Sequence, residues 1–304
     1  MGKIAAVIVT HNRKDKLRRC IEAVQGQEGT APPEIIVVDN DSSDGTSSLF
    51  TGTVAEYDTD SIYYFNTGLN IGGAGGFSFG LRKAAKLGFE YSWLMDDDTI
   101  PSNTALSELL NFEVKHGSDY GFLSSMAIWN DGSLCQMNIQ RETLTHNVRD
   151  FKRPYIGIEM ASFVSLLIPM HIVKDVGLPY KEFFIWTDDW EYTRRISRKH
   201  PCYLVTNSTV VHEMERNIKA DIASDSAERI DRYRYLYRND VVLYRREGIR
   251  GFAYEILRLS AHLVRVAVSG NNLHEKKRRV KVIIGGTLDG LSFYPVPDRL
   301  DSDL

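Results

Sequence analysis

Cysteine is scarce in this chain. Cys20, Cys135 and Cys202 lie far apart with no C-x-x-C spacing, which excludes a disulfide framework and a cysteine zinc site and fits a reducing cytosol. Long apolar runs are missing as well. No stretch approaches the roughly 18 residues of a membrane-spanning helix. The apolar run 4–9 meets polar His11, Asn12 and Arg13 at once, too soon for a secretory leader. Nor does one charge dominate: 37 Lys and Arg face 40 Asp and Glu, net −3, so nucleic acid is not an expected partner. What is present is 43% hydrophobic and 25% charged residues in 304, the composition of a globular protein with a substantial core.

Strand-like and helix-like patterns alternate through the first half. Residues 4–9 are a β-branched run. Residues 14–25 carry Leu17, Ile21 and Val24 at helical spacing, and 35–38 form a second buried-type strand. A third strand is expected at 61–65, a helix at 77–87 and a fourth strand at 91–95. This β-α-β repetition predicts an α/β fold with a mainly parallel, Rossmann-like sheet flanked by helices, and ligands in such sheets gather beyond the carboxyl ends of the strands. Polar clusters follow each strand: Thr10 to Arg13, Asp39 to Asp41, Asn66 to Gly76, and Asp96 to Asp98. From about residue 221 the pattern changes to long helices, near 226–247 and 252–269. Residues 1–220 are therefore read as a catalytic unit and 221–304 as a C-terminal helical extension.

Three clusters can carry chemistry. Adjacent Asp96, Asp97 and Asp98 repel one another unless compensated, and a hard divalent ion, Mn2+ or Mg2+, suits carboxylate ligands. The alternative is a solvated acidic turn in which Asp98 or Thr99 caps a helix beginning near Pro101. The glycines between Asn70 and Phe77 sit at a strand-to-helix junction, where backbone amides can approach a phosphate or sugar; the alternative is a flexible turn. They fit neither a dinucleotide fingerprint nor a P-loop. Asp188, Asp189 and Glu191 follow the aromatic run 183–186, where a carboxylate can act as a general base or, as Asp188 with Glu191, form a capping box. His212 closes a strand-like run, 208–211.

In this order, the motifs Thr10-His11-Asn12-Arg13, Val38 through Thr46, the Asp triplet and the later Asp pair resemble glycosyltransferase family 2, inverting nucleotide-sugar enzymes of the GT-A fold. Residues 70–77, the aromatic lead into Asp188-Asp189 and His212-Glu213-Met214 resemble the bacterial galactofuranosyltransferases within it, whose donor is UDP-galactofuranose. The resemblance spans about residues 1–215. It implies that Thr10, Arg13 and Asp39 hold the uridine, that Asn70 and Asp97 face the diphosphate or sugar, that Asp96, Asp98 and His212 bind the metal, and that Asp189 is the catalytic base. It also implies a glycan acceptor, lipid-linked, in bacterial surface polysaccharide synthesis, with addition of one or a few sugars rather than polymerisation. The competing expectations are a dTDP-rhamnose rhamnosyltransferase, a sugar nucleotidyltransferase, which usually opens with a Gly-rich basic loop that is missing here, and a noncatalytic binding protein.

The extension is locally basic. Residues 245–281 hold ten Lys or Arg against Glu247, Glu255 and Glu275. Interleaved with apolar residues, this charge fits either a helix packed by its apolar face on the catalytic unit with solvated charges or a membrane-facing one. The lipid-linked acceptor that the resemblance implies favours peripheral contact with the inner face of the cell membrane, with Lys276, Lys277, Arg278 and Arg279 facing anionic lipid.

Overall fold

The computed structural model describes residues 2–51, 56–57 and 61–300. The chain divides into two compact units, Met1–Lys181 with Asp189–Ile218 and Pro297–Leu304, and Glu182–Asp188 with Lys219–Val296.

The first unit is built on one sheet. Strands β1 (Ile4–Thr10), β2 (Glu34–Asp39), β3 (Ile62–Asn66) and β4 (Tyr91–Asp96) alternate with helices α1 (Lys14–Gln25) and α2 (Gly72–Lys86). All three pairings among these strands are parallel, with order β3-β2-β1-β4. Beyond β4 the sheet is mixed. It continues through β8 (Leu166–Pro169), β6 (Leu123–Ile128), β9 (Tyr203–His212) and β5 (Thr99–Pro101), with β7 (Tyr155–Gly157) paired to β9. Of these later pairings only β6 with β9 is parallel. Helices α3 (Ala105–His116), α4 (Met170–Val176) and α5 (Asp188–Ser197) intervene.

Every residue of β1 is buried. Successive side chains point to opposite faces, so Ile4, Ala6 and Ile8 pack with α1 and α3 through Leu17, Ile21, Leu106 and Leu109. Ala5, Val7 and Val9 pack with α2 and α4 through Phe77, Leu81 and Val173. A strand covered on both sides reads as the unbroken apolar run seen in the sequence.

Two local expectations are corrected. No helix starts near Pro101: residues 99–101 pair with β9, and α3 begins at Ala105. Helix α2 starts at Gly72, five residues before the expected 77, so the glycine cluster is the opening of a helix and not a turn. The physical reason is close packing. A Cβ on Gly76 would come within 2.5 Å of Val9 Cγ1, and one on Gly80 would collide with Val7. Contact with the sheet overrides the poor helix propensity of glycine.

In the second unit, α6 (Tyr233–Arg245), α7 (Gly248–Val268) and α8 (Leu273–Ser292) surround a small core of Ile222, Ile230, Tyr233, Tyr237, Val266 and Ile283. The single helix expected over 226–247 is divided, 3₁₀ over Ala227–Arg232 and α from Tyr233. Arg279 departs from the lipid-facing expectation. It is buried, and its guanidinium donates to the carbonyls of Ile222 and Asp225. Ile249, Phe252, Ile256, Leu257, Val264 and Val268 are exposed along α7, and Lys277 and Lys281 are exposed on α8. No described helix is long and apolar enough to cross a membrane.

Candidate active site

Strand register gathers the candidate residues. Thr10 pairs with Asp39, Asp39 with Asn66, and Val9 with Asp96, so the carboxyl ends of the four parallel strands form one edge. Asp97 and Asp98 follow β4, and Asp98 and the β9 terminus meet where Thr99 pairs with His212.

At that edge Asp97 accepts a hydrogen bond from the Thr10 hydroxyl at 2.8 Å and one from Arg13 at 3.1 Å. Arg13 also donates to Asp98 at 2.9 Å, as does Lys16 at 3.1 Å. His212 Nε2 lies 3.0 Å from the other Asp98 oxygen. Burial pushes the Asp97 carboxyl up to about 7, its acidic neighbours adding to the effect while Arg13 and Thr10 oppose it. Burial likewise raises partly buried Asp96, reinforced by Asp98. Asp98 goes the other way: burial would raise it, but the hydrogen bond and charge of His212, with Arg13 and Lys16, hold it well below the usual range. Burial would lower His212, yet the hydrogen bonds to Asp98 and Cys135 and the charges of Asp98 and Asp96 raise it to about 10.

Ligand atoms of Asp96, Asp98 and His212 lie within 4.8 Å of one another. Two carboxylates and one imidazole are a donor set that Mn2+ or Mg2+ accepts. The imidazole is pre-oriented: Asn138 Oδ1 sits 2.8 Å from His212 Nδ1, while Asn138 Nδ2 donates to Ser162 and its Oδ1 accepts from Cys135. Holding Nδ1–H in this way directs Nε2 toward the carboxylates. The residues present fit such an ion.

Asp39 is fully buried and accepts from the Tyr64 hydroxyl at 2.6 Å and the Ser42 amide at 2.9 Å. Asn70 is exposed and its side chain accepts from the Gly72 amide, beside the open space at Gly73. Asp189 is partly buried in the first turn of α5, and its Oδ1 accepts from the Trp190 amide. Glu191 pairs with Arg195, with contacts of 2.7 and 3.2 Å. Lys16 and Asn138 escaped the sequence reading. Lys16 looks like one more solvated helix charge, and Asn138 lies in an irregular loop with no motif of its own.

The profile of Glycosyl transferase family 2 matches residues 5–176. Galactofuranosyltransferase GlfT1 of Mycolicibacterium smegmatis is 32% identical over 205 residues, 64% of this chain and 65% of that protein, so the chain spans about two thirds of its length. A GalNAc(5)-diNAcBac-PP-undecaprenol beta-1,3-glucosyltransferase of Campylobacter jejuni is 34% identical over 111 residues, 36% of this chain and 34% of that one. Among solved structures, mannosyltransferase PcManGT of Pyrobaculum calidifontis, in complex with GDP-Man and Mn2+, superposes with a TM-score of 0.60 at 15% identity. It covers 95% of this chain and 87% of its own, and the likeness is one of GT-A fold.

Proposed function

The chain belongs to glycosyl transferase family 2, and from that premise we propose that it transfers galactofuranose from UDP-galactofuranose, with inversion, to a hydroxyl of a lipid-linked glycan in bacterial surface polysaccharide synthesis. The observation that carries this reading is the convergence of Asp96, Asp98 and His212 at the strand edge that also holds Thr10 and Asp39. The galactofuranosyl donor is supported by the Mycolicibacterium relative.

In this reading Thr10, Arg13 and Asp39 bind the uridine. Arg13 suits the task, since its side chain keeps about half its surface in solvent while its tip neutralises Asp97 and Asp98. Asn70 and Asp97 face the diphosphate or sugar. Asp96, Asp98 and His212 hold Mn2+ or Mg2+. When bound, that ion neutralises charge on the departing diphosphate. Asp189 takes the proton of the attacking hydroxyl as the sugar passes to it in one displacement, and no covalent enzyme intermediate is needed. Lys16 offsets the charge of Asp98 at the same Oδ2 that Arg13 contacts.

The lipid-linked acceptor draws support from the Campylobacter relative, whose name carries PP-undecaprenol. It also draws support from the exposed apolar residues of α7 and the cations of α8. An amphipathic, basic surface docks reversibly on anionic lipid. Cosedimentation with anionic but not neutral vesicles at low salt is expected, weakened by Lys277→Gln with Lys281→Gln and by Phe252→Ser. Absence of binding points to a soluble acceptor.

The decisive test is UDP release in the presence of n-octyl β-galactoside as probe acceptor, with UDP-galactofuranose, UDP-galactopyranose and dTDP-rhamnose as donors, with and without chelator. Selective, chelator-sensitive turnover of UDP-galactofuranose is expected. Preference for dTDP-rhamnose overturns the donor assignment, and full activity in excess chelator overturns the metal role.

A further inference from the structure

Residues 182–188 connect Lys181 to Asp189, and their backbone is unusual. Phe184, Trp186 and Thr187 all have positive φ, at 65, 66 and 66°. None is glycine. Bulky or β-branched residues in this region are strained and persist only where surroundings impose them. The sequence Phe-Phe-Ile-Trp-Thr favours extended strand, so the conformation is not encoded locally.

Three consecutive residues of α6 impose it. Asn239 is fully buried, and its Nδ2 lies 3.0, 3.2 and 2.9 Å from the carbonyl oxygens of Phe183, Ile185 and Trp186. Arg238 donates through Nη2 to the carbonyls of Glu182 and Phe183 at 2.6 and 3.2 Å. Its Nε donates to Asn239 Oδ1 at 3.0 Å, which fixes the amide with its NH2 toward the segment. Asp240 accepts from the Thr187 hydroxyl at 2.7 Å and is itself paired with Arg258. Phe184 stacks on Tyr235 at 5.1 Å, and Trp186 leans on Tyr233 at 4.6 Å. Carbonyls that a strand would offer to a neighbouring strand are thus satisfied by side chains of one helix.

We propose that Asn239, supported by Arg238 and Asp240, is a positioning residue for Asp189: the clamp on α6 holds the strained segment whose next residues are Asp188 and Asp189, and thereby fixes where the base carboxylate stands. The inference rests on the reading of Asp189 as the base. The strain has a functional logic, because a base must be held within a fraction of an ångström of its target. Displacement by about 1 Å from a remote mutation can cost about 100-fold in rate.

The test is a double-mutant cycle on the full chain, Asn239→Ala, Asp189→Asn and both together, read as UDP release from UDP-galactofuranose with n-octyl β-galactoside. Asn239→Ala should lower kcat by about 100-fold with the Kd for UDP and Mn2+ within twofold of wild type. Amides of residues 182–190 should exchange faster. The double variant should be no slower than Asp189→Asn, because both act through one carboxylate. Additive losses, or a wild-type rate for Asn239→Ala beside a crippled Asp189→Asn, overturn the proposal. A wild-type rate for Asp189→Asn instead removes the base assignment, and this inference with it. Should Asn239→Ala unfold, Thr187→Val enters the same cycle: a slow rate rescued by Thr187→Ser supports the clamp, and a rate within twofold of wild type overturns it.

Discussion

Buried charge is handled in opposite ways at the strand edge and in the helical unit. At the edge, Asp96, Asp97 and Asp98 are crowded together; His212, Arg13 and Lys16 hold Asp98 well below the usual carboxylate range, and the hydrogen bonds to Asp98 and Cys135 with the charges of Asp98 and Asp96 raise His212 to about 10. In the helices, burial wins. Desolvation pushes Glu255 up to about 8 and, with the charges of Arg258 and Arg265, His262 down to about 4, which favours the neutral forms. The first arrangement keeps the Asp98–His212 pair charged even though burial raises Asp96 and Asp97 beside it. The second spends polar groups on holding helices together. A cluster of buried charges therefore signals chemistry when opposite charges keep it ionised, more than by its burial alone.

The strongest way to break this contrast is to remove an acid from the edge. Asp98→Ala should abolish metal-dependent donor binding and turnover while the protein stays folded, checked by titration calorimetry with UDP and Mn2+ and by circular dichroism. If donor binding survives, the cluster is structural like its counterpart in the helices. Next in size, Arg258→Met should destabilise the helical unit by about 3–5 kcal/mol, because it leaves the Asp240 carboxylate buried without its cation. Urea unfolding reports it, and a loss below about 1 kcal/mol argues that the pair is dispensable. Asn138→Leu should weaken Mn2+ affinity about 10–100-fold by releasing His212, and Asn138→Asp, which keeps an acceptor for Nδ1, should restore most of it. Equal affinities for all three proteins would show that the imidazole needs no such anchor.

The smallest effect is a pH dependence in the helices. The folded-state pKa of His262 lies at about 4, below its ordinary 6.5, because it is buried near Arg258 and Arg265 with only Asp221 opposing; its Nδ1 meets the Tyr237 hydroxyl at 2.7 Å. The unfolded chain therefore binds the proton first. His262 contributes stability above pH 6.5 that is lost as pH falls from 6.5 through 4. Thermal melts across that window should show a decline that His262→Gln flattens, and an unchanged slope would place the titration elsewhere.

Legibility followed packing. Strands β1, β2 and β4 were readable to within a residue or two because a strand buried on both faces must be apolar throughout, and α1 because only one of its faces is. Short strands such as β5, β7 and β8, of three or four residues, carry no periodic signal and went unread. The start of α2 was misplaced because its glycines answer to Val9 and Val7 across the core, a contact no local rule contains. At the site, a run of three Asp is visible in any sequence, and His212 was found only through resemblance. Asn138 and Asn239 act on residues 74 and more than 50 positions away, and nothing about an isolated asparagine announces that.

Burial of β1 on both faces also has a kinetic meaning. Its amides bond to β2 on one side and β4 on the other, so they belong to the part of the molecule that opens last, and deuterium should reach them only through global unfolding. Thr10, the tip of that strand, and Asp39 beside it inherit the same immobility, whereas Arg13 and Asn70 stand on exposed connections. One side of the edge is thus anchored to the slowest-exchanging backbone of the protein. The other side rests on exposed connections, where Arg13 reaches back to Asp97 and Asp98 and Asn70 holds the Gly72 amide.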